Sequence, residues 1–124
     1  MSLSPKQIVD LARNAADDKK AMDITVLDIS HISIICDYFL ICTGRSGTQV
    51  QAVAEHIQDQ LRDAGVKPLR VEGFREGNWI LLDYGDVVIH VFKEMERDFY
   101  NLERLWEMPR LLNYQLRNKF HSIR

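Results

Sequence analysis

The sequence predicts a mixed α/β fold, with a sheet of about five strands, part parallel and part antiparallel, flanked by helices. Three observations carry that expectation. Two stretches, Pro5 to Lys19 and Thr48 to Ala64, repeat apolar residues at three- and four-residue steps, the period of a helix lying on a core. Between and after them lie short runs rich in β-branched and aromatic residues. Two of those runs flank Gly85-Asp86, and a two-residue insert of this kind reads as a tight β-hairpin.

Each element has its own local signal. Ser4-Pro5-Lys6-Gln7 supplies a helix cap, a proline at the first helical position and a glutamine placed to complete a capping box. Ile8, Leu11, Ala12 and Ala15 then follow at helical spacing, to about Lys19. Met22 to Ile29 reads as a strand, and Ser30 to Ile35 is open between a loop and a helical turn. Asp37 to Thr43 is apolar nearly throughout, which suits a central strand covered on both sides. Gly44-Arg45-Ser46-Gly47 interrupts it, and the second helix carries Val50, Val53, Ala54, Ile57, Leu61 and Ala64 on one face before Gly65 stops it.

Pro68 to Glu72 is a short third strand, so Asp37 to Glu72 forms a strand-helix-strand unit, expected as a right-handed crossover between parallel strands. Residues 73–78 connect it to the hairpin. Beyond Phe92, the stripe Phe99, Leu102 and Trp106, with Leu105 beside it, predicts a helix over Glu96 to Glu107, ended by Pro109. One domain is therefore expected over residues 1–107. Residues 108–124 form a basic extension holding Arg110, Arg117, Lys119 and Arg124 with no acid.

Composition excludes several classes. A formal charge of -2 argues against binding nucleic acid by bulk electrostatics, and DNA is not an expected partner. No apolar run approaches the roughly 20 residues that span a bilayer, and the N-terminus lacks the pattern of a secretory or transit signal. A cytoplasmic protein is expected. Cys36 and Cys42 lack metal or redox spacing and read as small buried thiols. Asp23, Asp28, Asp37, Asp83 and Asp86 sit mainly at strand ends and turns, where backbone hydrogen bonding explains them; no metal site is expected. The Gly44 to Gly47 turn has neither dinucleotide nor Walker spacing, so a cap by Ser46 or Thr48 explains it better than an anion site.

Strand alternation sorts the hairpin into two faces. Tyr84 opposes Val87, Leu82 opposes Ile89 and Ile80 opposes Val91 on an ordinary aliphatic face. On the other, Asp83 opposes Val88, Leu81 opposes His90 and Trp79 opposes Phe92. His90 near Asp83 invites acid–base chemistry, but no nucleophile is placed beside them, and no catalytic residue is assigned. The mixture of rings, imidazole and carboxylate is better suited to a partner surface, where Trp and Tyr are enriched.

Asp37-Tyr38-Phe39, Ile41-Cys42-Thr43-Gly44, Val71-Glu72-Gly73, Trp79 with Leu82 to Val88, His90-Val91-Phe92, Tyr100-Asn101-Leu102-Glu103 and Leu105-Trp106 occur in this order. Together they closely resemble the ribosomal silencing factor (Iojap-like) family over about residues 5 to 107. The resemblance implies a fold related to nucleotidyltransferases without their activity, and the strand Leu69 to Glu72 indeed lacks paired metal-holding aspartates. No cofactor is implied. The implied partner is ribosomal protein fourteen of the large ribosomal subunit. Binding there blocks subunit joining and lowers translation when nutrients are short.

Combined with strand alternation, this suggests Trp79, Leu81, His90, Phe92 and Tyr100 as anchors, with Glu72, Asp83, Asp86 and Glu94 meeting basic side chains. An open aromatic face also favours a homodimer when the protein is off the ribosome. Two alternatives stand beside silencing: a role in large-subunit assembly, and residual nucleotide binding or nucleotidyl transfer.

Overall fold

Along the chain the elements are α1 (Pro5–Asp18), β1 (Met22–Asp28), β2 (Tyr38–Gly44), α2 (Gly47–Asp63), β3 (Arg70–Glu72), β4 (Trp79–Asp83) and β5 (Val87–Lys93). The structure is a computed structural model, and it describes residues 3–31, 34 and 36–94. The expected helix over Glu96 to Glu107, Tyr100 within it and the basic extension lie outside the described residues.

Both helices begin as the sequence requires. The Ser4 hydroxyl accepts from the Gln7 N–H at 3.2 Å, while the Gln7 side chain accepts from the Ser4 N–H at 2.9 Å, completing the capping box. Ser46 rather than Thr48 caps α2, accepting from the Gln49 N–H at 3.1 Å. The Gln49 side-chain Oε1 in turn accepts from the Arg45 N–H at 2.7 Å. Its amide donates to the Lys20 carbonyl at 3.1 Å, tying the start of α2 to the end of α1. The turn between β2 and α2 is thus spent on holding the helices together. At the far end of α2, Gly65 has φ +86, and the Val66 N–H reaches the Leu61 carbonyl at 2.8 Å, a Schellman closure.

The five strands form one mixed sheet in the order β1-β2-β5-β4-β3. Only β2 and β5 pair in parallel; the other neighbours are antiparallel. The hairpin register is the expected one: Trp79 opposes Phe92, Ile80 Val91, Leu81 His90, Leu82 Ile89 and Asp83 Val88. Gly85, with φ +87, takes the first turn position, where a side chain would be strained, and the Tyr84 N–H closes the turn on the Val87 carbonyl at 2.9 Å. The expected crossover joins parallel strands that are not neighbours. Strands β2 and β3 do point the same way, but β5 and β4 lie between them, so α2 spans two intervening strands. Local pattern fixes strand direction; it does not choose neighbours.

Both helices pack on one sheet face. Ile8, Val9 and Ala12 from α1 and Val50, Val53, Ala54, Ile57 and Leu61 from α2 bury Leu40, Cys42, Ile80, Leu82, Val87, Ile89 and Val91. Tyr84 is buried at the edge of this cluster, and its hydroxyl finds no hydrogen-bond partner among the described residues. Burial pushes its pKa from 10.0 up to about 12, because the phenolate would lose its hydration. A folded-state pKa raised this way leaves stability intact below pH 10 and erodes it as pH climbs from 10 towards 12. The loss across that window should be on the order of 2 kcal/mol. Tyr84→Phe should abolish it in alkaline urea titrations and leave the neutral protein at least as stable, since a partnerless buried hydroxyl is a cost.

Candidate partner-binding site

The opposite sheet face carries the residues singled out for binding. It holds Ile29, Cys36, Phe39, Ile41, Leu81, Val88 and Phe92, with Leu27 and Trp79 packed at its margin. Parallel pairing of β2 with β5 sets Ile41 beside His90 and Thr43 beside Phe92. His90 therefore stands in a ring cluster: Phe39 meets it edge-on at 5.3 Å between centroids, and Phe92 lies nearly parallel to it at 6.0 Å. Trp79 stacks on Phe92 at 5.0 Å, and its Nε1–H donates to His90 Nδ1 at 2.9 Å.

Burial divides the expected anchors. Leu81, His90 and Phe92 are 0 % exposed, so they do not present themselves to a partner. Trp79 alone among the described anchors keeps part of its surface accessible. The three buried residues form its backing.

The acids separate into two ends. Glu72 opposes Leu81 on edge strand β3 and, partly exposed, lies on the same face near Trp79. Glu94 is exposed just past the end of β5, whose Lys93 N–H bonds the Asn78 carbonyl at 2.8 Å beside Trp79. Asp83 and Asp86 stand at the turn end of the hairpin, about 13 Å away at the rise of an extended strand. The Asp83 carboxylate accepts from the Gly85 N–H at 2.8 Å, a turn-holding role, and does not orient His90. The Asp86 side chain is exposed, while its carbonyl receives the Asp37 and Tyr38 N–H groups at 2.7 and 3.1 Å. Asp28 is similarly occupied: the Ser30 hydroxyl and N–H hold its carboxyl below the usual range. Among the described residues no group of His, Cys, Asp and Glu could hold a metal ion.

Sequence reasoning missed Gly73. Its φ is +76, and a Cβ there would run into the Trp79 carbonyl oxygen. This glycine lets β3 close tightly on the start of β4 and so fixes where the Trp79 backbone lies. The sequence signal was its position between the Val71-Glu72 strand and Trp79. A shallow groove of about 310 Å³ between α2 and β3, lined by Glu55, Gln58, Asp59, Arg62, Val71 and Phe74, lies apart from the mixed face. Its Arg62 and Asp59 pair with each other at 2.9 Å.

The sequence profile of the family described as "Ribosomal silencing factor during starvation" matches residues 2–121, nearly the whole chain. The chain belongs to the ribosomal silencing factor family. A Bacillus subtilis (strain 168) protein named ribosomal silencing factor is 51% identical over 104 residues, covering 84% of this chain and 88% of its own. Two crystal structures share the fold. One, of a Chromobacterium violaceum protein, aligns with a TM-score of 0.80 at 39% identity, covering 84% of this chain and 87% of that one. The other, from Bacillus halodurans, gives 0.74 at 46% identity, covering 82% and 94%. The family is one of translation regulators that associate with ribosomes. No described helix is long and apolar enough to cross a membrane.

Proposed function

We propose that this chain acts in the cytoplasm by binding ribosomal protein fourteen of the large ribosomal subunit, on the face that meets the small subunit. It thereby blocks subunit joining and represses translation under nutrient limitation. The action is steric and non-enzymatic. Trp79 is the anchor, backed by Phe92 and His90; Glu72 and Glu94 beside it engage basic side chains of the partner, and Asp83 and Asp86 add charge at the far end of the hairpin.

The observation that carries this reading is Trp79 itself, partly exposed while every ring it packs on is buried. Aromatic hot spots sit on such rigid, desolvated backing, and truncating one costs about 2 kcal/mol or more, whereas rim charges mainly set association rate and salt dependence. The test is subunit joining. Purified large and small subunits are mixed at joining magnesium concentrations with and without excess protein, then resolved on gradients. The expected result is depletion of the joined ribosome and retention of the protein on the large subunit. An undiminished joined peak, or retention on the small subunit, contradicts it.

A further inference from the structure

We propose that His90 is a positioning residue for ribosome binding, acting only through Trp79: its neutral imidazole, carrying the proton on Nε2, fixes the indole by accepting the Trp79 Nε1–H at Nδ1. This deepens the proposed docking role of Trp79 and rests on it.

Indole nitrogen is a donor only, so the 2.9 Å Trp79 Nε1 to His90 Nδ1 contact requires a lone pair on Nδ1. An imidazole with an unprotonated Nδ1 is the Nε2–H tautomer. A partly exposed tryptophan has freedom that a partner must remove on binding, and that ordering opposes affinity. Contacts among the described residues already restrain it before any partner arrives. Stacking on Phe92 at 5.0 Å with a 24° tilt sets the plane of the indole. The hydrogen bond fixes which edge of the indole faces inward. His90 is itself held on both sides, edge-on by Phe39 and nearly parallel to Phe92, and is wholly buried. A histidine in such a place has no route to a partner, so its contribution to binding passes through the ring it holds.

Two measurements test this. In the free protein at neutral pH, long-range proton–nitrogen correlation of the His90 imidazole should give the Nε2–H pattern, with a Trp79 Nε1–H that exchanges slowly. A proton on Nδ1, or a Trp79 indole N–H exchanging as fast as a free indole, overturns the proposal regardless of any ribosome measurement. The second is a double-mutant cycle on affinity for large subunits, using Trp79→Phe, His90→Leu and both together. Acting through the bond, His90→Leu should weaken binding about tenfold with Trp79 present and less than about twofold in the Trp79→Phe background. His90→Asn, which offers an acceptor at the Nδ1 position, should recover part of the loss. Equal losses in both backgrounds would assign His90 a purely structural role and overturn the proposal. If Trp79→Ala leaves affinity untouched, the docking role of Trp79 fails instead, a separate outcome from an additive cycle.

Discussion

Gly73→Ala should lose about 3 kcal/mol or more of folding stability, read as a fall in the urea midpoint with unchanged slope. Two costs combine at this position. An L-residue at φ +76 is strained, and the new methyl collides with the Trp79 carbonyl oxygen, a backbone atom that cannot swing aside. Gly65→Ala is the matched comparison. It has a similar φ of +86 but no atom within 4 Å of its missing Cβ, so it should cost only about 1 kcal/mol. Equal losses at the two glycines would show that the approach of β3 to Trp79 is looser than described. Relaxation of the clash would also push the Trp79 backbone outwards, so any Gly73→Ala protein that folds should bind its partner more weakly than its residual stability implies.

Much of this architecture could be read along the chain, because local chemistry decides it. Ser4, Pro5 and Gln7 specify the start of α1 by groups within one turn of each other, and Gly85 at a positive φ fixes a two-residue loop. Once the loop length is set, every cross-strand pair from Asp83–Val88 to Trp79–Phe92 follows by counting. Strand order is a different kind of information. That β5 inserts between β2 and β4 depends on which edges meet, and no local pattern encodes it.

Face membership was legible in the sequence, and burial was not. Alternation correctly put Trp79, Leu81, His90 and Phe92 on one face, but alternation cannot say whether a face is wet. The corrective signal was nonetheless present in β2. A strand apolar nearly throughout must be covered on both sides, and Phe39 and Ile41 lie on the same face as His90 and Phe92. A histidine among such neighbours looked like a binding group because its polar partner was invisible. That partner is the Trp79 indole, across the hairpin, and their hydrogen bond makes the imidazole tolerable in an apolar layer.

The largest functional effect is expected at Trp79. Its ring leans on Phe92 and His90 yet keeps accessible surface, so Trp79→Ala removes contact area at the edge of the hydrophobic layer rather than from its middle. Stability should fall by about 2–4 kcal/mol, because His90 Nδ1 loses its donor along with the ring packing, and the circular dichroism spectrum should keep its shape. Affinity for large subunits should fall by a hot-spot increment of about 2 kcal/mol, roughly thirtyfold. Glu94→Gln, by contrast, should change salt dependence more than affinity at physiological ionic strength.

Co-sedimentation of the folded Trp79→Ala protein with purified large subunits is therefore the decisive measurement. At protein concentrations where the unmodified chain travels with the large subunit, the variant should remain at the top of the gradient. A folded Trp79→Ala protein that still travels with the large subunit would contradict the anchor assigned here and move the docking surface elsewhere on the molecule.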